Sequence, residues 1–340
     1  MLNKRRFLAH RMREAGVLRV MERLARRPCL LVLVYHRIGD PTATTDYAPV
    51  FSATPEGFRR QIEEVQRAFR LLSPTELVAH ASGGTPLNDP CAAITFDDGY
   101  RDQYEHGLPA LVDAGASATY FIPPDRIDHP RPFWWDLVSR VIHQTDRERL
   151  ELDEPARLTI DLTRTSRAEA LAIVVQACLA AHRLDEERLA EHLQERSGVS
   201  LDLNALGRSA LMTWEQVQTL ADSGMVVGSH GKTHRRLADL NEEEQSEELV
   251  SSKRMLEARL GREVDAISYP YGGATDYDDR TCRLARQAGY RAGFIFGGQS
   301  NRPGAIRPFE VARINVGSAD SPEMVRARMA LDRAFGRSFI

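Results

Sequence analysis

Cys29-Leu-Leu-Val-Leu-Val-Tyr35 is an unbroken apolar run, closed on one side by Pro28 and on the other by His36-Arg37. Continuous apolarity, rather than the alternation of a half-exposed strand, is the pattern of a strand buried on both faces, as in parallel sheets. Working outward, similar strand signals recur at 91–96, 118–122, 225–228, 266–269, 292–296 and 310–316. Helical segments fall between them. One opens at Thr54-Pro55-Glu56, with Thr54 as N-cap, Pro55 at the first helical position, and Phe58, Ile62, Val65 and Phe69 along it. Others cover 104–114, closed by Gly115, a segment starting at Thr213-Trp214-Glu215, 241–260 stopped by Gly261, and 278–288. Strands alternating with helices predict an α/β fold, a mostly parallel sheet with helices outside. About seven such units suit a closed or nearly closed barrel, whose functional groups gather at the C-terminal ends of the strands. His36, Asp97-Asp98, Ser229-His230 and Tyr269-Pro270-Tyr271 all stand at such ends.

The alternation lapses between 125 and 211, where proline-rich turns and Trp134-Trp135 give way to long charged helical stretches such as 168–196. The predicted division is therefore a basic N-terminal helix over 1–28, a barrel made of 29–124 and 212–330, and a mostly helical insertion over 125–211. A chain of 340 residues can bury a core of that size. Its net charge of -3 predicts no general attraction to nucleic acid. Cys29, Cys91, Cys178 and Cys282 lie far apart, without the spacing of a disulfide framework or a zinc knuckle, so a reducing, cytoplasmic setting is expected. The first 28 residues carry nine Lys/Arg against two Glu, with no long apolar core, and make a poor secretory signal. Two readings of them stand: a helix packed on the domain or a frayed leader, and a helix resting on the inner face of an anionic membrane.

Three strand-end segments carry the chemistry. In Thr95-Phe96-Asp97-Asp98-Gly99-Tyr100, two adjacent carboxylates raise each other's proton affinity unless a cation takes one of them. The bland reading is an Asp-Gly turn. In Gly228-Ser-His230-Gly-Lys-Thr-His234, two histidines four residues apart can converge on one ion, and two His plus one carboxylate leave open positions for water and substrate. In Ile267-Ser-Tyr-Pro-Tyr-Gly-Gly273, Pro270 and the glycines fix a tight loop whose backbone N–H could face a developing oxyanion. Each segment alone also reads as an ordinary turn.

Together and in this order, these three segments, with Val34-Tyr35-His36-Arg37-Ile38 upstream, resemble the polysaccharide deacetylase family (the NodB-homology domain, carbohydrate esterase family 4). The likeness runs from about 30 to 329, interrupted by the insertion. It implies a distorted (β/α) barrel of about seven units with a helical insertion, and hydrolysis of N-acetyl groups on an amino-sugar polysaccharide or glycolipid. It implies Asp97 as general base, and Asp98, His230 and His234 as ligands of a divalent metal, Zn2+ first among them. It implies the Tyr271 backbone N–H at the oxyanion.

Two departures from the family pattern stand out. Ser268 occupies the place where many members have the arginine that orients the base, and Arg313 is a candidate to replace it or to hold substrate. No Leu-x-His supplies the general acid, and no histidine follows His234. His36 is the candidate acid, because the branch acting on poly-β-1,6-N-acetylglucosamine uses a His after its first strand. Trp134 and Trp135 could pack on sugar rings and Asp136 could bind hydroxyls or the substrate amine; the alternative is that the tryptophans seal the insertion onto the barrel. An N-acetylated glycan is the expected partner. Competing functions are a carbohydrate-binding pseudoenzyme and a hydrolase of another C–N amide bond on the same barrel.

Overall fold

The structure, a computed structural model, describes residues 28–335, so the expected N-terminal helix and its membrane contact lie outside the described residues. Seven parallel strands form a closed ring: β1 Cys29–Tyr35, β2 Pro90–Phe96, β3 Ala118–Ile122, β4 Val226–Ser229, β5 Ala266–Ser268, β6 Ala292–Phe296 and β7 Val311–Asn315. Neighbours in the ring are neighbours in sequence, and closure comes from β1 pairing with both β2 and β7. Register runs from Cys29 opposite Pro90 to Tyr35 opposite Phe96 on one side, with Leu33 opposite Ile314 on the other. A two-residue strand, Arg70–Leu71, pairs with the start of β2, the half that β3 leaves unpaired. The barrel and helical insertion foreseen from the alternation are thus present, with strand ends displaced by a residue or so.

Period-two alternation sorts the strand residues into two sets. Leu31, Leu33, Tyr35, Ile94, Phe96, Tyr120, Ile122 and Ile267 share one core with the helices. The other set, Leu30, Val32, Ala93, Phe121, Phe294 and Val311, forms a second buried cluster inside the barrel. Gly228 on β4 makes room there, because a Cβ at that position would stand 2.5 Å from the Phe121 ring. Thr95 follows Ala93, Ser268 follows Ala266 and Arg313 follows Val311 at a step of two, so all three belong to the inward face, near its C-terminal end. Around the ring, the helix Pro55–Ala68 starts at Thr54, whose hydroxyl accepts the Gly57 N–H, and buries Phe58, Ile62 and Val65. The helix Glu242–Leu260 opens on an Asn241–Glu244 capping box and stops at Gly261, at φ 63°.

A second compact unit comprises 40–50 and 129–211. Residues 40–50, expected with the barrel, join it through the Tyr47 N–H on the Asp136 carboxylate and the Arg140–Asp46 ion pair. The stretch 168–196 is two helices rather than one, Arg167–Ala180 and Glu186–Ser197, because Asp185 caps a new start after a left-handed Arg183. The unit also holds an antiparallel hairpin, Arg149–Leu152 with Leu158–Asp161, absent from the sequence-based expectation.

Candidate active site

At the end of β2 the chain passes from extended backbone to a pair of left-handed residues, Asp98 at φ 77° and Gly99 at φ 75°. After β4, Gly231 and His234 do the same at 68° and 71°, and after β5, Tyr271 and Gly272 at 63° and 66°. The described non-glycine residues with positive φ are Asp98, Arg183, His234 and Tyr271, so three of the four stand in the three strand-end motifs. Such backbone costs about 1–3 kcal/mol per residue and persists where the surroundings over-determine it, as at functional sites.

Asp97 is fully buried and held from below. Its N–H donates to Tyr35 O at 3.0 Å. Arg313, also fully buried, grips it with two parallel bonds, Nη1 to Oδ1 at 2.8 Å and Nη2 to Oδ2 at 2.7 Å. The Ser268 hydroxyl donates to Asp97 Oδ2 at 3.2 Å and accepts from Arg313 Nη2 at 2.7 Å. The guanidinium lies over the rings of Phe121 and Phe296, 5.5 and 5.2 Å from their centroids. Burial pushes the Asp97 carboxyl up, but the charges of Arg313 and His230 outweigh it and hold the group below the ordinary carboxylate range. Arg313, from β7, thus holds the Asp97 carboxylate, and Ser268 bridges the pair.

Asp98, His230 and His234, all buried, each offer one ligand atom within 4.8 Å of the others. His230 Nε2 lies 3.4 Å and His234 Nε2 3.3 Å from Asp98 Oδ1. Ligands about 2.1 Å from a tetrahedral ion stand about 3.4 Å apart, which the two carboxylate–imidazole separations match. The donor chemistry agrees. His230 Nδ1 sits 2.8 Å from the Ser268 carbonyl oxygen, which can only accept, so Nδ1 carries the proton. In the neutral ring Nε2 then points a lone pair toward a carboxylate, an arrangement a cation relieves. Burial lowers the His234 pKa and keeps that ring neutral. For His230, burial lowers the pKa but the Asp97 and Asp98 carboxylates raise it further, the direction expected of an imidazole facing anions. Burial raises and the two imidazoles lower the Asp98 pKa, with a net fall far below the ordinary range.

His36, the candidate acid, is half-buried and stacks on Phe296 at 5.9 Å between centroids, the same ring that lies against Arg313. Tyr271 is half-buried, its ring 5.1 Å from that of His234. Two residues unnoticed in the sequence tie these parts together. Gln103 donates from one amide nitrogen to the carbonyls of His36 at 2.7 Å and Asp97 at 2.5 Å. Asp102 accepts the Ile38 N–H and the Arg37 guanidinium, at 2.9 and 2.8 Å. Both belong to the segment entering a π-helical turn, 103–107, a rare geometry enriched at functional sites. Its sequence signal is weak, since Arg-Asp-Gln reads as ordinary helix.

Trp134, Trp135 and Asp136 do not behave as the sugar-binding groups considered above. All three are buried, Trp135 stacks on Phe133 at 4.6 Å, and Asp136 accepts the Tyr47 N–H. Both tryptophan side chains are buried rather than open to a sugar ring.

The profile of the family described as Polysaccharide deacetylase matches residues 84–146 and 189–293. A protein of Bacillus subtilis (strain 168) described as "Putative polysaccharide deacetylase YxkH" is 21% identical over 264 residues, 78% of this chain and 63% of that protein. The chain thus spans less than two thirds of that relative's length. Among solved structures, the deacetylase PplD of Streptococcus pyogenes in complex with acetate aligns with a TM-score of 0.59 at 19% identity, over 89% of this chain and 99% of that one. IcaB from Ammonifex degensii aligns with a TM-score of 0.55 at 18% identity, over 90% and 98%. The profile match, running from β2 into β6, marks this part of the chain as a polysaccharide deacetylase domain, and the closed seven-strand barrel agrees with the fold of the two solved deacetylase-like structures.

Proposed function

We propose that the chain is a metal-dependent hydrolase that removes N-acetyl groups from an amino-sugar polysaccharide or glycolipid during surface polysaccharide biosynthesis. The observation that carries this is the convergence of Asp98, His230 and His234 beside a separate carboxylate, Asp97, whose charge is fixed by Arg313. A divalent ion, Zn2+ first among candidates, would be held by Asp98, His230 and His234 and would supply Lewis acidity, making water easier to deprotonate and a carbonyl easier to attack. Asp97 accepts the proton of the attacking water. The bidentate hold of Arg313 keeps it ionised, and because Ser268 also donates to Oδ2, it is Oδ1 that keeps a second lone pair. The Tyr271 N–H serves the developing oxyanion, a reading supported by the left-handed backbone of Tyr271 (φ 63°) in the loop that follows β5. His36 returns a proton to the departing amine. The four cysteines, far apart and without the spacing of a disulfide framework, are the ground for a reducing, cytoplasmic setting.

The deciding experiment is acetate release from N-acetylglucosamine oligomers and lipid-linked acceptors, with the ion content of the same protein. The expected result is about one divalent ion per chain, activity lost on chelation and restored by Zn2+. A protein that binds ion and glycan but releases no acetate would instead be a carbohydrate-binding pseudoenzyme. For the acid, His36→Ala is expected to lower turnover by about 10²–10⁴-fold with ion content unchanged. Turnover within a few-fold of the parent would remove His36 from the mechanism.

A further inference from the structure

Between His230 and His234 the chain has to fold back on itself, since His230 follows the extended strand β4 and His234 must face the same point. Gly231 and His234 provide the two left-handed turns. Lys232 and Thr233, between them, have their backbone N–H groups turned to one place. Both donate to Oε2 of Glu248, at 2.8 and 3.0 Å, while the Thr233 hydroxyl donates to Oε1 at 2.6 Å. Glu248 comes from the helix Glu242–Leu260, and is 4% exposed. A Cβ on Gly231 would stand 3.3 Å from Glu248 Oε2 and 3.4 Å from Pro270 Cγ, so loop and carboxylate are closely fitted. The neighbouring Glu247 has a different role, pairing with the Lys232 ammonium at 2.9 Å.

We infer that Glu248 is a positioning residue for the ion site: by gathering the Lys232 and Thr233 N–H groups it fixes the loop that sets the separation of the His230 and His234 imidazoles. Charge-assisted bonds to a carboxylate are the strong ones, and three of them act on two consecutive residues. Without the carboxylate, two N–H groups lose their acceptor and His234 loses what holds it at φ 71°. The imidazoles would then occupy a range of separations instead of one, and ion affinity would fall.

This rests on the reading that Asp98, His230 and His234 bind a divalent ion, and the test separates the two. Zn2+ affinity is measured on the full chain by competition with a chromophoric chelator, with thermal unfolding of the ion-free protein in parallel. Glu248→Ala is expected to weaken Zn2+ binding by about 10–100-fold, the range for groups that support metal ligands. Glu248→Gln is expected to recover most of the loss, because its amide oxygen can accept both backbone N–H groups while its amide nitrogen faces the Thr233 hydroxyl. A purely structural glutamate would lower the unfolding temperature without changing the affinity of the folded protein. That result, parental affinity in folded Glu248→Ala, overturns the inference. If Glu248→Ala does not fold, Thr233→Val decides: it removes one bond of the three, and an affinity unchanged rather than several-fold weaker also overturns it. A parent that takes up no Zn2+ overturns the metal reading itself, and the inference with it.

Discussion

Asp97→Asn is expected to lower turnover by about 10²–10⁴-fold while the protein still holds its divalent ion. The substitution leaves Asp98, His230 and His234 untouched, and Asp97 Oδ2 stands 3.8 Å from His230 Nε2, beyond the 3.3–3.4 Å separations within the triad. An amide has no lone pair basic enough to take the proton of water. It also changes the contact below: the amide oxygen can accept one Arg313 N–H, but its nitrogen would face Arg313 Nη2 and the Ser268 hydroxyl as one donor among others. The variant should therefore be less stable as well as slow, and the two effects are read separately. Acetate release gives the rate, elemental analysis the ion, and thermal unfolding the stability. His230→Ala is the contrasting case, expected to lose ion and rate together. An Asp97→Asn protein that keeps its ion and works within about tenfold of the parent would place the base elsewhere.

The barrel was legible because its physics is local and repeated. The apolar run 29–35 and the mostly apolar runs at 118–122 and 292–296 coincide with β1, β3 and β6, since strands largely buried on both faces carry few polar residues to blur their limits. Helix starts were legible where a side chain caps them, as at Thr54, Thr213, Asn241 and Asp278. The hairpin at 149–161 was not. Arg149-Leu-Glu-Leu152 does alternate, with Leu150 and Leu152 buried, but its residues are good helix formers beside long helical stretches. The motif residues converge as their places at strand ends required. What local pattern could not show is which distant side chains complete the site. Gln103 and Glu248 look like ordinary polar positions on helical segments, and only the folded chain shows that they hold the loops bearing His36, Asp97 and the two imidazoles. Ser268 was noticed as a departure, but its meaning lies in the partner it brings into contact.

That partner carries the other large effect. Arg313→Met is expected to destabilise the protein by about 3–5 kcal/mol, the cost of leaving one member of a buried ion pair unpaired. Both groups are fully buried, so water cannot screen the orphaned charge. The loss should depend on pH in a defined direction. With Arg313 present, the Asp97 carboxyl lies below its unfolded value of about 3.9, so ionisation favours the folded state above that pH, and the benefit is lost as pH falls through the folded pKa. With Arg313 gone, the main lowering influence is removed and burial takes over, so the folded pKa moves up and ionisation above about pH 4 opposes folding. The gap in stability between parent and Arg313→Met should therefore widen as pH rises from about 4 toward the new folded pKa. The variant should also be slow, because a protonated or misplaced Asp97 cannot act as base. Arg313→Lys keeps the charge but cannot make the two parallel bonds, and is expected to recover more stability than turnover. The decisive comparison is Asp97→Asn/Arg313→Met. If the two side chains form the coupled unit described, the double variant loses less stability than the sum of the single losses, because neither charge is left alone. Additive losses in chemical denaturation would mean that each residue is held by other contacts, and that Arg313 does not stand in for the arginine absent at Ser268.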